Sequence, residues 1–534
     1  MKLISPNELN DLINSSEEIA VIDVREEGEF GKEHILLCAN ISLSQLEIKL
    51  PVTVPRKTSQ IVICDDNNEL SSRAFDVITS YDYTNVSVLK GGVKAWESTG
   101  FEVFSGINVP SKAFGEFVEH TYKTPSISAK ELKDMMDNKQ DLIVLDSRPM
   151  DEYRVMNIPT GIDMPGAELV YRIEDAPITK NTTVVVNCAG RTRSIIGAQS
   201  LINAGVDNKV VALRNGTMGW HLAGYKLEHG LDRTVSEVTE EGHKIALARA
   251  NSAAEKFGVK FINSETLDRW RNQQGERTLA ILDVRTKEEF ERAHIADSRH
   301  APGGQLVQAT DAYVATQNAR VVLVDDRLVR ALMTATWLVQ LDWCEVYVLE
   351  SGLECQAIHT GHQTNPCFGL QMQNITTVSP KEAYELQSKG ALLIDVSRSL
   401  TYREKHAKGS AFAIRAGLKD DLSRFSKKRQ IIFISDNENL AALAALDFAG
   451  TEIGVAVVEG GTSAWEKDGL PLEAGMTNVI SQPIDVYLRA YDREDPQEIE
   501  AAMNEYLEWE LGLVSQIAQP GGVSFREYPI QSDS

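Results

Sequence analysis

The segment Val184-Val185-Val186-Asn187-Cys188-Ala189-Gly190-Arg191-Thr192-Arg193-Ser194 sets one cysteine and two arginines among small and polar residues. Three β-branched residues in succession predict a buried strand. From Ser194 onward, Ile195, Ile196, Leu201 and Ile202 fit one face of a helix ending near Gly205. Cys188 then falls at a helix N-terminus, under backbone N–H groups and beside two cations. Each feature lowers a thiol pKa and favours the thiolate, which is the nucleophile. The loop residues Ala189, Gly190, Arg191, Thr192, Arg193 and Ser194 would cradle an anionic substrate. Most free cysteines are small buried core residues, but two arginines within the next five positions are an unusual setting for an inert thiol.

The elements that must position this loop recur along the chain. Ala20-Val21-Ile22-Asp23-Val24-Arg25, Ile143-Val144-Leu145-Asp146-Ser147-Arg148 and Ala280-Ile281-Leu282-Asp283-Val284-Arg285 are apolar strands ending in Asp-x-Arg. Leu392-Leu393-Ile394-Asp395-Val396-Ser397 is a fourth, with serine for the arginine. A second strand follows each, at 61–63, 184–186, 321–324 and 431–434. A third ends in a turn, as at Gly91-Gly92, Asn215-Gly216, Ser351-Gly352 and Gly460-Gly461, and Trp96, Trp220 and Trp465 follow three of these turns. Cys188 lies 42 residues after Asp146; the same count reaches Asp65 from Asp23 and Asp325 from Asp283, and 41 residues from Asp395 reach Asp436. The chain therefore reads as four copies of a unit of roughly 100 residues, an ordinary domain size. Cysteine stands at the loop position in the second copy alone.

Amphipathic helices at 6–13, 128–136, 264–271 and 379–388 precede the first strands. This alternation predicts an α/β architecture, four tandem domains each with a small parallel sheet flanked by helices. Such sheets bind ligands beyond the C-terminal ends of their strands, where the 184–194 loop falls. The boundaries read as a first domain at 1–105, a second at 122–231, a helical linker at 232–258 separating a front pair from a rear pair, a third domain at 259–365, a fourth at 373–475 and an acidic extension at 476–534.

The Asp-x-Arg strand, the Cys-Ala-Gly-Arg-Thr-Arg-Ser loop and the Gly-Gly…Ala-Trp turn together resemble the rhodanese family of sulfurtransferases, over residues 1–472. The resemblance implies a Cys188 persulfide: an anionic donor such as thiosulfate gives up its outer sulfur, and cyanide or a thiol removes it. It also implies that tandem forms pair inactive copies with an active one. The chemistry agrees, since a thiolate must attack an electrophilic sulfur and the arginines suit an anionic donor or leaving group. Asp146 and Arg148 recur in copies without cysteine, so they read as supporting residues: Asp146 organises the loop and Arg148 forms an ion pair. The second copy has Asn157-Ile158-Pro159 where the family has a Gly-His-Ile-Pro run, and 162–167 is expected to form one wall of the pocket.

Two other readings compete. Cysteine phosphatases place five residues between cysteine and arginine; here four separate Cys188 from Arg193, a cradle one residue short. A non-enzymatic multi-module scaffold, or a redox- or sulfur-sensing binding protein, would use the copies with Asp65, Asp325 and Asp436 to bind protein partners. Cys64 stands one residue before the nucleophile position, so the strand pleat should turn it to the opposite face.

A chain of 534 residues with 43% hydrophobic residues is an ordinary globular composition, and its length suggests about three to five domains. A net charge of −23 argues against nucleic acid as the main partner. No run of about 18 apolar residues suggests a membrane span, and the N-terminus lacks a signal-peptide core. Six cysteines without a Cys-x-x-Cys pair predict a reducing compartment, most simply the cytoplasm. Cys355, His359, His362 and Cys367 match no common zinc spacing, and neither metal nor cofactor is expected. The extension from 476 carries three Lys/Arg against eleven Asp/Glu, and 496–511 has helical periodicity, expected to pack on the rear modules.

Overall fold

The computed structural model describes residues 1–235, 237–354, 356–370, 375–422 and 430–528. Each of the four modules builds a parallel sheet in one strand order. In the second the order is Ser126–Ile127, Val210–Leu213, Thr183–Asn187, Leu142–Asp146 and Ile162–Asp163. The central three strands are buried along most of their length, which is why they read as continuous apolar runs. The entry helices start where the sequence places capping boxes. Ser5, Ser128 and Ser379 each accept from the backbone of Glu8, Glu131 and Glu382, whose carboxylates bond back.

The sheet ladders set the equivalence of the four loops. Asp146 pairs with Asn187, Asp23 with Cys64, Asp283 with Val324 and Asp395 with Ile434. The next residues are Cys188, Asp65, Asp325 and, in the fourth module, Ser435. Asp436 was expected there and lies one residue farther on. The turn after the third strand gives the same answer. The carbonyls of Cys188, Asp65 and Ser435 accept from the N–H of Thr217, Val93 and Thr462 at 2.9, 2.8 and 3.4 Å. The turn glycine behind each lies so close that a Cβ on Gly216 would come within 2.2 Å of the Cys188 carbonyl oxygen.

The linker joins the modules where a spacer was expected. Its helix, Glu240–Lys256, is capped by Thr239 and lays Ala246, Ala250, Ala253 and Ala254 against Val329–Leu341 and Glu168–Arg172. One apolar cluster therefore runs from Ile143 and Val186 of the second module to Leu282 and Trp337 of the third. Strand Thr316–Gln317 of the third module adds antiparallel to Ile19–Asp23 of the first, and Arg415 of the fourth forks onto Glu47 of the first at 2.7 and 2.9 Å.

A helix absent from the sequence reading, Val109–Tyr122, connects the first two modules. The extension runs along the fourth module, pairing Val479 with Phe412, and then forms the helix Pro496–Ile517, whose main packing is on Val109–Tyr122, where the rear modules were expected. Of its buried stripe, Leu513 and Ile517 join the cluster of Val109, Ala113, Phe114 and Val118, while Met503 and Leu507 pack with Met218 of the second module. No helix among the described residues is long and apolar enough to cross a membrane.

Candidate functional site

Strand Thr183–Asn187 delivers Cys188 to the sheet edge, and helix Thr192–Asn203 begins four residues later. Beside it, Asp146 is closed by Arg148, whose guanidinium donates at 2.9 and 2.7 Å, and by Asn187 Nδ2 at 2.9 Å. Arg148 also donates to the Met156 carbonyl at 2.6 Å. This pair, fully buried, ties the first strand to its following loop. Arg25–Asp23 and Arg285–Asp283 repeat it in modules without cysteine.

Cys188 Sγ lies 3.3 Å from Ser194 Oγ, and Ser194 Oγ donates to the Arg191 carbonyl at 2.9 Å. The thiol is 2% exposed. Burial pushes its pKa up, against Arg193 and Ser194, and Glu510 adds to the rise. The lowered pKa expected from the loop is therefore corrected for the closed state. Helix terminus and cation are present, but desolvation outweighs them.

The two arginines are already occupied. Arg191 forks onto Glu116 through Nε and Nη2 at 2.6 and 2.8 Å, Nη2 also holds Glu119, and Nη1 donates to Asn215 Oδ1 at 3.3 Å. Arg193 forks onto Glu152 at 2.8 and 2.7 Å, with Gln305 of the third module at 3.5 Å. Burial works to raise the Glu152 pKa, and Arg193 more than offsets it. Both guanidiniums therefore shape the loop and set its field, with their best hydrogen bonds given to carboxylates.

The C-terminal helix roofs the loop. Thr192 Oγ1 donates to Glu510 Oε1 at 3.2 Å, and Tyr506 OH donates to the same oxygen at 2.7 Å. The other oxygen, Glu510 Oε2, is buried without a hydrogen-bond partner among the described residues. It faces Gly190, where a Cβ would stand 3.3 Å from it and 3.0 Å from the Tyr506 ring. Burial raises the Glu510 pKa against Lys112, and burial brings Lys112 down to about 8. Tyr491 OH meets Thr217 Oγ1 at 3.1 Å on the Gly216 side.

Sequence reasoning missed Glu116, Glu119, Glu152, Tyr491, Tyr506 and Glu510. The acidic pair three residues apart before the second module was a readable signal; the roof had none, because its residues lie some three hundred positions from the loop. The segment 162–167 turns toward the third module, where Gly304 would bring a Cβ within 3.2 Å of the Gly166 nitrogen. The missing histidine is structural. His34, His294 and His406 each place Nδ1 on the carbonyl four residues back, and Asn157 donates to the Tyr153 carbonyl at 3.2 Å in their place.

The other loops carry their own acceptors. Asp65 accepts from Asn68 N–H at 2.7 Å and Ser71 N–H at 3.1 Å. Asp325 accepts from Arg330 N–H at 2.8 Å and from its side chain at 2.9 Å. Ser435 Oγ accepts from Asn437 N–H at 3.1 Å. The carboxylates fill the nests an external anion would use. Cys64 points away from its loop, with Sγ 3.5 Å from Cys38 Sγ. The Asp23 carboxylate near both thiols is taken by Arg25. His362 pairs with Glu291 at 2.6 Å, and Cys355 lies outside the described residues.

The repeated fold with this loop architecture defines a four-module protein of one family. The family model of the Rhodanese-like domain matches residues 5–99, 128–223, 265–355 and 379–468, and the chain belongs to that family. A crystal structure of thiosulfate sulfurtransferase from Pseudomonas aeruginosa is 39% identical, with a TM-score of 0.93, covering 98% of this chain and 100% of that one. Adenylyltransferase and sulfurtransferase MOCS3 of Arabidopsis thaliana is 25% identical over 150 residues, so the chain matches 26% of that relative's length. Putative sulfur carrier protein YrkF of Bacillus subtilis is 26% identical over 137 residues, 24% of this chain and 72% of that protein.

Proposed function

We propose that the protein is a sulfurtransferase that carries sulfane sulfur on Cys188. The observation that carries this reading is the equivalence of the four loops: Asp65, Cys188, Asp325 and Ser435 share one register, and sulfur occupies it in the second module alone. In the first half-reaction the Cys188 thiolate attacks the outer sulfur of a donor such as thiosulfate. The sulfur–sulfur bond of the donor breaks, sulfite leaves with the electron pair, and Cys188 keeps a persulfide. In the second, cyanide or a thiolate attacks the outer sulfur and expels the Cys188 thiolate.

Arg193 favours the thiolate electrostatically, and the Ser194 backbone N–H favours it too; Ala189, Gly190, Arg191 and Thr192 shape the wall. Asp146 and Arg148 hold the strand edge beneath. The Pseudomonas relative's name supports thiosulfate as donor. The first, third and fourth modules have structural or partner-binding roles in this reading. A thiosulfate:cyanide assay on the full chain tests it: Cys188→Ser should lose sulfite release and persulfide alike, retained turnover rejects Cys188 as the sulfur carrier, and no turnover by the unsubstituted chain favours a scaffold.

A further inference from the structure

The first and third modules enclose a recess whose walls share no residue with the Cys188 loop. It has two lobes of about 540 Å³ each, which meet at Val52, Arg299, His362, Gln363 and Asn365. Helix Leu46–Thr53 forms one side and strand Arg299–His300 another, held in place by the Thr316–Gln317 strand on the first module's sheet.

The charges on its walls do not all find partners. Arg56 is held by Glu18 at 2.7 Å, Asp297 by Arg271 at 2.6 Å, and Glu291 by His362 at 2.6 Å. Arg299 donates to the Tyr313 carbonyl at 2.9 Å and has no carboxylate within 4.0 Å among the described residues. The Lys49 ammonium makes no hydrogen bond or ion pair among them, while its backbone carbonyl accepts from Thr53 Oγ1 at 3.0 Å. The contrast lies within the same molecule: Arg25, Arg148, Arg191, Arg193, Arg285 and Arg330 each hold at least one carboxylate. Burial lowers the Arg299 pKa to about 10, and it lowers that of Lys49 against the pull of Glu27, Glu26 and Asp311. Asp311, in the same lobe, is raised by burial to about 6, with Lys49 opposing. A cation held out of bulk water without a counter-charge costs stability, and a recess of this volume gives a counter-ion room. The neighbouring lobe is lined by Pro51, Val52 and Pro55, an apolar wall beside the charged one.

We propose that this recess binds a small organic anion, its carboxylate, sulfonate or phosphate group held by Arg299 and Lys49 and its body lying along Pro51, Val52 and Pro55. The guanidinium fork supplies paired donors to such a group and the ammonium a point charge.

The test uses the full-length Cys188→Ser chain, so that no sulfur is exchanged during titration. Sulfate, S-methylglutathione and adenosine monophosphate are the probes, followed by isothermal titration and by melting temperature. At least one organic probe should bind more tightly than sulfate, and Arg299→Met should weaken it tenfold or more, with Lys49→Gln weakening it less. In anion-free buffer Arg299→Met should melt at or above the temperature of its parent, because an uncompensated charge has been removed. An arginine that serves only to hold the Tyr313 carbonyl would instead lower the melting temperature when replaced. Binding of sulfate alone, or binding indifferent to Arg299→Met and Lys49→Gln, overturns the proposal.

Discussion

Thr192 and Glu510 share a hydrogen bond of 3.2 Å across 318 residues of chain. Through it the last long helix closes over the loop that holds the second module's thiol. The unbonded Glu510 Oε2 faces that loop, so a group of potential negative charge stands where an anionic donor would enter.

Glu510→Gln should therefore raise kcat/KM for thiosulfate. Removing one charge near the incoming anion is worth on the order of 1 kcal/mol, or about fivefold. The rise should grow with pH, because burial raises the Glu510 pKa and the wild-type carboxyl gains charge as pH climbs through it. A steady-state series against pH checks this, and a variant slower than wild type at every pH would contradict it.

The same residue links folding to pH. Burial raises its pKa above the ordinary 4.5, with Lys112 opposing. Between those two values the folded chain binds more protons at this site than the unfolded chain does. Its contribution thus turns unfavourable as pH rises from 4.5 through the folded value, and stays so above it. The melting temperature of Glu510→Gln minus that of wild type should grow with pH across that window and then level off. A difference that shrinks as pH rises would exclude this linkage.

Cys188 should react slowly in the closed state. Its pKa is raised by burial, so alkylation by iodoacetamide should climb with pH through 9 and not plateau near neutrality. Mass spectrometry of the Cys188 peptide gives the rate. Leu507→Ala, which loosens the roof at a buried contact, should accelerate alkylation at pH 7.5. Equal rates in the two proteins would mean that the helix does not gate the thiol.

Arg191→Ala and Arg193→Ala should act first on stability. Arg191→Ala leaves the buried Glu116 carboxylate unpaired, at a cost of about 3–5 kcal/mol, and Arg193→Ala leaves the half-buried Glu152 carboxylate unpaired, at a smaller cost. Restoring neutrality with Arg193→Met plus Glu152→Leu should recover much of that loss in urea unfolding. Because neither fork is free for a donor, both half-reactions should slow alike. A loss confined to donor turnover would show that the arginines bind thiosulfate directly.

Cys64→Ser and Cys38→Ser should leave sulfur transfer near wild type, while Cys188→Ser abolishes it. Cys64 packs against Cys38 on the far side of its strand, one residue before the position that Asp65 occupies. Persulfide found on Cys64 after thiosulfate treatment would break the equivalence of the four loops.

Repetition is what made the fold legible in the sequence. Four Asp-ended apolar strands, each followed by a second and third strand at matching intervals, carry the architecture locally, because a buried parallel strand needs its own continuous run of apolar side chains. The Cys188 loop was legible for the same reason, as seven adjacent residues. The equivalence of Ser435 was not, because counting to the nearest aspartate skips a ladder in which Asp395 pairs with Ile434. The state of the thiol was decided only in three dimensions. The loop's arginines and helix terminus predict a thiolate, but Glu116, Glu119, Glu152 and Glu510 arrive from distant segments, neutralise the cations and exclude water. A pKa depends on every charge and every displaced water around the group, and those neighbours are set by how modules and the C-terminal helix pack.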